Sequence, residues 1–350
     1  EKDNLLRKGK VLDLDIIITT RGSVGHIAYN ENIPYNNIRI NSGMVILRNN
    51  DDSISQKYVY KLFDSSIIQR QIEKIAFGSA QPQLTVKEIK NLKIPLPPLK
   101  EQEGIANILS TADDKIAAIV SQIEKGELLK KGLLQKLLSE GIGHSEFNDS
   151  ELGKIPKSWE IVNLDEVTKI VDSLHITPTF VDNGISMVRV SDIKLGKLNL
   201  EDTLRVTEET FITFTKNYTP KKNDIVLSRV GSYGVSSYVT TDEAFCMGQN
   251  TVVIHPLINN KFIYYILNSI ETFKQIEIAS YGSGYKSLSL KNIRELKIPL
   301  PTNEEQKQIA DILSASDEKL EVLRDKKEKY KTLKLGLFQQ ILTGKTRVIK

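Results

Sequence analysis

One long stretch of this 350-residue chain occurs twice. Lys93-Ile94-Pro95-Leu96-Pro97 leads into Glu101-Gln102, Ile105-Ala106, Ile108-Leu109-Ser110, Asp113 and Lys115. Lys297-Ile298-Pro299-Leu300-Pro301 leads into Glu305-Gln306, Ile309-Ala310, Ile312-Leu313-Ser314, Asp317 and Lys319. The offset, 204 residues from Lys93 to Lys297, holds without a gap from Lys57/Lys261 through Gly132/Gly336 to Leu138/Leu342. In the later part of that span roughly half the positions are identical. A repeat of this length restricts the fold to two copies of one plan, each carrying a long helix.

The helix has a readable face. Ile105, Leu109, Ala112, Ile116, Ile119 and Ile123 alternate spacings of four and three, a heptad seam. The second copy gives Ile309, Leu313, Ser316, Leu320 and Leu323, then Lys327 and Tyr330, then Leu337 and Ile341. A period of 3.5 held over several heptads favours two helices packed side by side. An amphipathic helix lying on a globular core is the alternative. Thr302 with Glu305 makes a candidate capping box, with Pro301 just ahead of it. From Gln102 to Ser139 such a helix spans on the order of 55 Å.

A Lys-Ile-Pro-Leu-Pro strand, then Glu-Gln, then Ile-Ala-x-Ile-Leu-Ser, twice in one chain, resembles the specificity subunit of type I restriction-modification systems. The likeness covers nearly the whole chain. It implies two target-recognition domains, each followed by such a helix.

The chain in order adds detail. Residues 1–14 are polar and basic; Asp15 to Thr20 is a candidate strand, followed by Arg21-Gly22-Ser23-Val24-Gly25. The second copy repeats this as Asp224 to Ser228 and Arg229-Val230-Gly231-Ser232-Tyr233-Gly234. Two glycines bracketing a serine make a tight turn with the backbone open to close approach, either a plain hairpin or a contact surface. An arginine beside the turn in both copies tips the reading toward contact. Further strands are expected at Gly43 to Arg48 and Gln249 to His255, and helices at Gln56 to Ile75 and Lys261 to Ile278. The offset falls from 209 (Asp15 to Asp224) to 204, which places five extra residues of the first copy in the polar loop Asn49 to Ser53.

A second glycine loop follows each helix, Phe77-Gly78-Ser79-Ala80-Gln81-Pro82-Gln83 and Tyr281-Gly282-Ser283-Gly284-Tyr285-Lys286. These loops differ while the Lys-Ile-Pro-Leu-Pro strands stay constant, the pattern of two related binding modules with different targets. Gln81 and Gln83 could pair with adenine edges, and Tyr281, Tyr285 and Lys286 suit stacking and phosphate. Ahead of the second turn, Arg189 and Lys194 lie near a strand end, and Lys197, Lys216, Lys221 and Lys222 add basic surface. The candidate DNA contacts are therefore Arg21, Ser23, Ser79, Gln81 and Gln83 in the first copy. In the second they are Arg189, Lys194, Lys221, Lys222, Arg229, Ser232, Tyr233, Tyr281, Ser283, Tyr285 and Lys286. Any one of the loop-tip residues alone reads more readily as a solvated loop residue than as a base contact.

Composition excludes more than it assigns. Cys246 is the only cysteine, so disulfides within the chain and cysteine-rich zinc sites are out. The net charge of +4 permits an acidic partner without demanding one. No apolar run approaches ~18 residues, so no membrane segment is expected and the expected place is the cytoplasm. Gly344-Lys345-Thr346 resembles the end of a phosphate loop, but the required glycine is Gln339. Asp192-Ile193-Lys194 and Glu88-Ile89-Lys90 lack the Pro-Asp step of nucleases. No glycine-rich loop follows a strand in the manner of S-adenosylmethionine sites, no base-methylation motif occurs, and the four histidines are scattered. No reaction, cofactor, metal or small-molecule substrate is expected.

The expected fold class is α+β, with two repeated mixed α/β target-recognition domains joined by two long helices packed as an antiparallel coiled coil. The expected division is 1–98 for the first module, 99–140 for its helix and 141–158 for a Gly, Ser, Asn and Asp-rich linker. Residues 159–301 then form the second module, 302–342 its helix and 343–350 a tail. Modules at the two ends of a rod suit a bipartite target on double-stranded DNA, since sites one helical turn apart lie ~34–36 Å apart. The resemblance implies two methyltransferase subunits and a motor-nuclease subunit as partners, docked through Glu101, Gln102, Ile116, Ile119, Glu305, Gln306, Leu320 and Leu323. A coiled-coil protein adaptor and a stand-alone DNA-binding protein are the alternatives. About 65 residues, Trp159 to Asn223, precede the second Asp-led strand and only Glu1 to Leu14 the first. Together with Glu1 in place of Met, this leads to the expectation of an N-terminally incomplete first module. Its sheet should have an uncovered edge or face at Asp15 to Thr20, filled by upstream residues in preference to another chain or the tail from Thr343 to Lys350.

Overall fold

Three consecutive isoleucines set the first sheet. The computed structural model describes residues 9–35, 37–76, 82–280 and 287–348. In it β1 (Ile16–Thr19) lies between β2 (Ile27–Tyr29) and β3 (Met44–Leu47), with Ile17 opposite both Ala28 and Ile46. Ile16 and Ile18 point to the buried face and Ile17 to the other, as a period of two requires. β1 is thus a central strand, which corrects the edge alternative of the expected uncovered edge or face at Asp15 to Thr20: both its sides are paired antiparallel.

Next come α1 (Gln56–Phe63), α2 (Ser66–Ala76), α3 (Val86–Asn91) and α4 (Leu99–Ser139). The single helix expected from Gln56 to Ile75 is therefore two. Asp64 ends α1, its N–H bonding back to Tyr60 O, and Ser65 restarts the ladder by accepting from the N–H groups of Ile68 and Gln69. Asn268 and Ser269 break the second copy at the same place, with Ser269 Oγ accepting from Thr272 N.

β4 (Phe147–Ser150) and β5 (Gly153–Pro156) form a hairpin inside the stretch expected to be a plain linker. After it come β6 (Glu160–Asn163), α5 (Leu164–Val167), β7 (Thr168–Asp172), β8 (Ile185–Val188), β9 (Gly196–Lys197), β10 (Leu204–Val206) and α6 (Glu208–Thr215). The remaining elements are β11 (Ile225–Ser228), β12 (Ser236–Tyr238), β13 (Phe245–Met247), β14 (Thr251–Pro256), α7 (Asn260–Leu267), α8 (Ile270–Ser280), α9 (Leu290–Arg294), β15 (Lys297–Leu300) and α10 (Asn303–Ile341). β11 takes the place of β1 in a five-stranded sheet ordered β7-β14-β11-β12-β9; β10-β8-β13 and β15-β6 are separate small sheets.

The chain divides into two compact units, residues 1–123 with 323–350 and residues 124–322. Each holds one module, the first half of the helix that follows it and the second half of the other helix. In the first unit Asp113 meets Lys334 and Glu101 meets Arg347. Positions falling along α4 meet positions rising toward the chain's end, so the two halves run antiparallel. In the second unit the same holds for Gly126 against Leu320 and Lys130 against Asp317. The first core gathers Ile18, Tyr58, Leu62, Ile68, Ile105 and Leu109 with Phe338 and Ile341. The second gathers Ile225, Phe262, Ile266, Ile298, Ile309 and Leu313 with Leu137 and Leu138.

Candidate nucleic-acid interface

Each glycine turn is fixed by backbone geometry before any side chain matters. Gly25 and Gly234 have φ of +88° and +82°. A Cβ on either would also stand 3.0 Å from Ile72 Cγ2 or 2.8 Å from Ile276 Cδ1, so these glycines let the turn sit on α2 and α8. Gly22 and Gly231 also have positive φ but face open space or a distant Val190. The exposed tips are therefore Gly22-Ser23 and Gly231-Ser232.

The second loop returns to the first in both copies. Arg21 bridges Gln83 and Leu84 N donates to Thr20 O at 3.0 Å; Val230 bridges Ser287 and Leu288 N donates to Arg229 O at 2.8 Å. Glycine turn and returning strand thus share one surface, with Arg21, Ser23 and Gln83 exposed in one copy and Ser232 and Ser287 in the other. Tyr233 is half-buried. Ser79, Gln81, Tyr281, Ser283, Tyr285 and Lys286 lie outside the described residues.

The bridges correct the pairing of the two arginines. Arg21 aligns with Val230, and Arg229 with Thr20, so they stand one residue out of step and face opposite ways. Arg229 is half-buried: Nη1 lies 2.8 Å from Asp172 Oδ1 and Nε donates to Leu288 O at 3.0 Å. It is a strut between the end of β7 and the returning loop, not a surface contact. Arg189 is likewise committed, Nη2 to Asp192 Oδ1 at 3.1 Å and Nε to Asp192 Oδ2 at 3.2 Å. Lys222 pairs with Asp242 at 3.2 Å on an open surface, a contact worth ~0–1 kcal/mol and easily exchanged. Arg21, Lys194 and Lys221 are exposed and make no ion pair among the described residues.

At the opposite end of β1 and β11 from the turns lies a polar anchor that only its recurring aspartate announces in the sequence. Asp15 is buried and held by Arg48 Nε and Nη2 at 2.8 and 2.6 Å. Asp224, equally buried, accepts from Tyr218 Oη at 2.8 Å and Lys221 N at 2.9 Å and meets His255 Nδ1 at 2.8 Å. Burial, then the hydrogen bond and charge of Asp224, push the Tyr218 hydroxyl pKa far up. Lys169 Nζ sits 5.3 Å from the centre of the same ring. The anchor sets the backbone from which Lys221 projects.

The polar residues expected to face partners turn inward. Gln102 Nε2 donates to Pro97 O at 2.8 Å and its Oε1 accepts from Ser55 N at 2.9 Å; Gln306 Nε2 donates to Pro301 O at 2.9 Å. Arg347 grips Glu101 at 2.7 and 2.6 Å. Glu305 accepts from Ile142 N and Trp159 Nε1, both at 2.9 Å, and meets His144 Nε2 at 2.8 Å. Half the expected capping box survives, because Thr302 Oγ1 accepts from Glu305 N while the Glu305 carboxylate goes elsewhere. All four side chains are buried or nearly so and tie each helix to its own unit. Ile119 and Leu320 are buried in the seam, and Ile116 and Leu323 are half-buried.

The family described as Type I restriction modification DNA specificity domain matches residues 8–127 and 156–331. The chain belongs to this family. It is 30% identical over 319 residues to the type I restriction enzyme MjaVIII specificity subunit of Methanocaldococcus jannaschii, covering 88% of this chain and 74% of that one. The fold is similar to the crystal structure of a type I restriction-modification S subunit from M. genitalium, with TM-score 0.62 at 19% identity over 96% of this chain and 84% of that chain. A chain solved to explain complex assembly and conformational transition of the type I R-M system gives TM-score 0.58 at 18% identity, over 95% and 82%. Among the described residues no His, Cys, Asp or Glu cluster could hold a metal ion, and no helix is long and apolar enough to cross a membrane.

Proposed function

We propose that the chain is the DNA-recognition subunit of a type I restriction-modification system, a non-catalytic cytoplasmic protein. Its two modules read the two halves of a bipartite double-stranded target. Arg21, Lys194 and Lys221 meet phosphates, and the turn tips with the second glycine loops meet base edges. The helices carry two methyltransferase subunits, and the assembled enzyme adds the motor-nuclease subunit. One observation carries this reading: the scaffold and the Gly-Ser tips repeat while the residues beside the tips do not, Arg21 standing where Val230 does. Gln102 and Gln306 bind their modules alike, yet Ser23-Val24 stands where Ser232-Tyr233 does, and Gln83 where Ser287 does.

The test is a gel shift with the chain co-expressed with its methyltransferase subunits, against the target found by mapping methylated positions in the host genome. Lys221→Ala should weaken binding to all sequences and lower the salt slope by about 1, while exchange of residues 281–286 for 77–83 should change one half-site only. If the exchange lowers affinity without changing sequence preference, recognition lies elsewhere in the module.

A further inference from the structure

β11 ends where β14 begins, Ser228 opposite Thr251, and four segments of chain lie side by side at that end of the sheet. Leu288 N donates to Arg229 O at 2.8 Å, Arg229 N to Asn250 O at 2.9 Å, and Ser173 N to Thr251 O at 3.3 Å. The returning loop therefore flanks the glycine turn on one side. On the other lie Gly248 to Asn250, which enter β14, and the residues that leave β7 after Asp172. Side chains of these two outer segments meet: Gln249 Nε2 donates to Thr177 Oγ1 at 3.1 Å. Gln249 is half-buried and Thr177 exposed. Gln249 Oε1 accepts from no donor among the described residues, so one N–H and the carbonyl of the carboxamide are left to meet a ligand. In the first copy Thr20 N donates to Gly43 O at 2.7 Å as Arg229 N does to Asn250 O, so exposed Ser42 stands where Gln249 stands. One place on the scaffold thus carries two chemistries.

We propose that Gln249 is a specificity-determining residue of the second module, its carboxamide pairing with an adenine edge in the major groove. This rests on the DNA-recognition reading above. Adenine presents N7 as acceptor and N6–H as donor, the complement of one N–H and one carbonyl. Guanine presents two acceptors, O6 and N7, and would leave the carbonyl without a donor. Thr177 is a positioning residue: it holds a long polar side chain before DNA arrives, which lowers the entropy lost on binding. Ser42 has a single hydroxyl that suits several base edges, so the same place in the first module should select weakly.

The test is selection from a duplex library randomised across the target, using the full chain purified with its methyltransferase subunits, with the bound sequences counted. The wild-type complex should select adenine at one position of the second half-site. Gln249→Ala should lower that preference roughly tenfold. Gln249→Glu keeps an acceptor for the Thr177 hydroxyl but loses the N–H, and should exchange adenine for cytosine, whose N4–H a carboxylate accepts. Both variants should leave the first half-site unchanged, and matched melting temperatures verify that they fold. Unchanged preference in either variant, or an equal loss of affinity for all sequences, overturns the assignment of Gln249 and leaves the DNA-recognition reading standing. A wild-type complex that selects no sequence overturns both.

Discussion

Asp113 and Asp317 stand at the same step of α4 and α10, and different chemistry holds them. Asp113 meets Lys61 and Lys334, each at 2.7 Å, and Lys334 also reaches Asp64 at 3.2 Å. Asp317 accepts from Tyr265 Oη at 2.8 Å and pairs with Lys130. Lys61 and Tyr265 are equivalent, as are Lys334 and Lys130. One geometry, a helix–helix clamp that also grips the module, is thus met by an ion cluster in one unit and by one ion pair plus a hydroxyl in the other. Duplication fixes the place of a contact and leaves its electrostatics to drift apart.

The sharpest way to break the clamps is to remove each acid. Asp113→Asn strands Lys61, whose side chain is 8% exposed, and should cost about 3–5 kcal/mol. Asp317→Asn leaves a neutral hydroxyl and a part-exposed lysine and should cost about 1–2 kcal/mol. Urea unfolding of the two variants checks the order. Trp159, the only tryptophan, is buried in the second unit and reports that unit alone, while circular dichroism reports both. Equal losses would show that the two clamps are energetically the same.

The helix seam gives a second contrast. Leu320→Asp places a charge at a buried position and should cost several kcal/mol, with loss of methyltransferase binding in pull-down. Ile116→Asp, half-buried, should cost less. Unchanged melting temperatures in both would contradict packing through the seam.

Acid sharpens the first comparison at a smaller scale. Burial alone would raise the Asp113 pKa, but hydrogen bonds and charge from Lys334 and Lys61 outweigh it and leave it lowered. A lowered carboxylate contributes stability that is present above its unfolded value and disappears as pH falls through its folded value. The first unit should therefore soften below pH ~4, measured as hydrogen exchange on residues 99–123. The smallest effect expected is Lys222→Ala on DNA affinity, less than that of Lys221→Ala, because Asp242 already competes for Lys222.

Much of this architecture was legible in the residues. Periodicity found the long helices and their seam, the order of modules and helices along the chain its antiparallel sense, and the offset both glycine turns. What escaped notice depended on single contacts. Nothing in Gln56 to Ile75 marks a break except Asp64-Ser65, and the hairpin β4–β5 hides in a stretch whose composition matches a loop. Arg21 and Arg229 look equivalent by eye, yet a shift of one residue in an extended chain reverses their facing. The inward role of Glu101 and Glu305 could not be foreseen, because Arg347, His144 and Trp159 lie far from them in sequence. Their partners follow the glycines Gly344 and Gly141, and that shared step after each helix was the available sign.

The division of the units bears on birth order. The second unit is one continuous segment, residues 124–322, and can close as soon as it is made. The first must wait, since the half-helix that covers Ile105 and Leu109 begins at Leu323. At ribosomal speeds of ~5–20 residues per second, the 200 residues from Ile123 to Leu323 correspond to roughly 10–40 s with that apolar face bare. The module encoded first is the one completed last, and a chaperone that meets this protein on the ribosome should be found on α4.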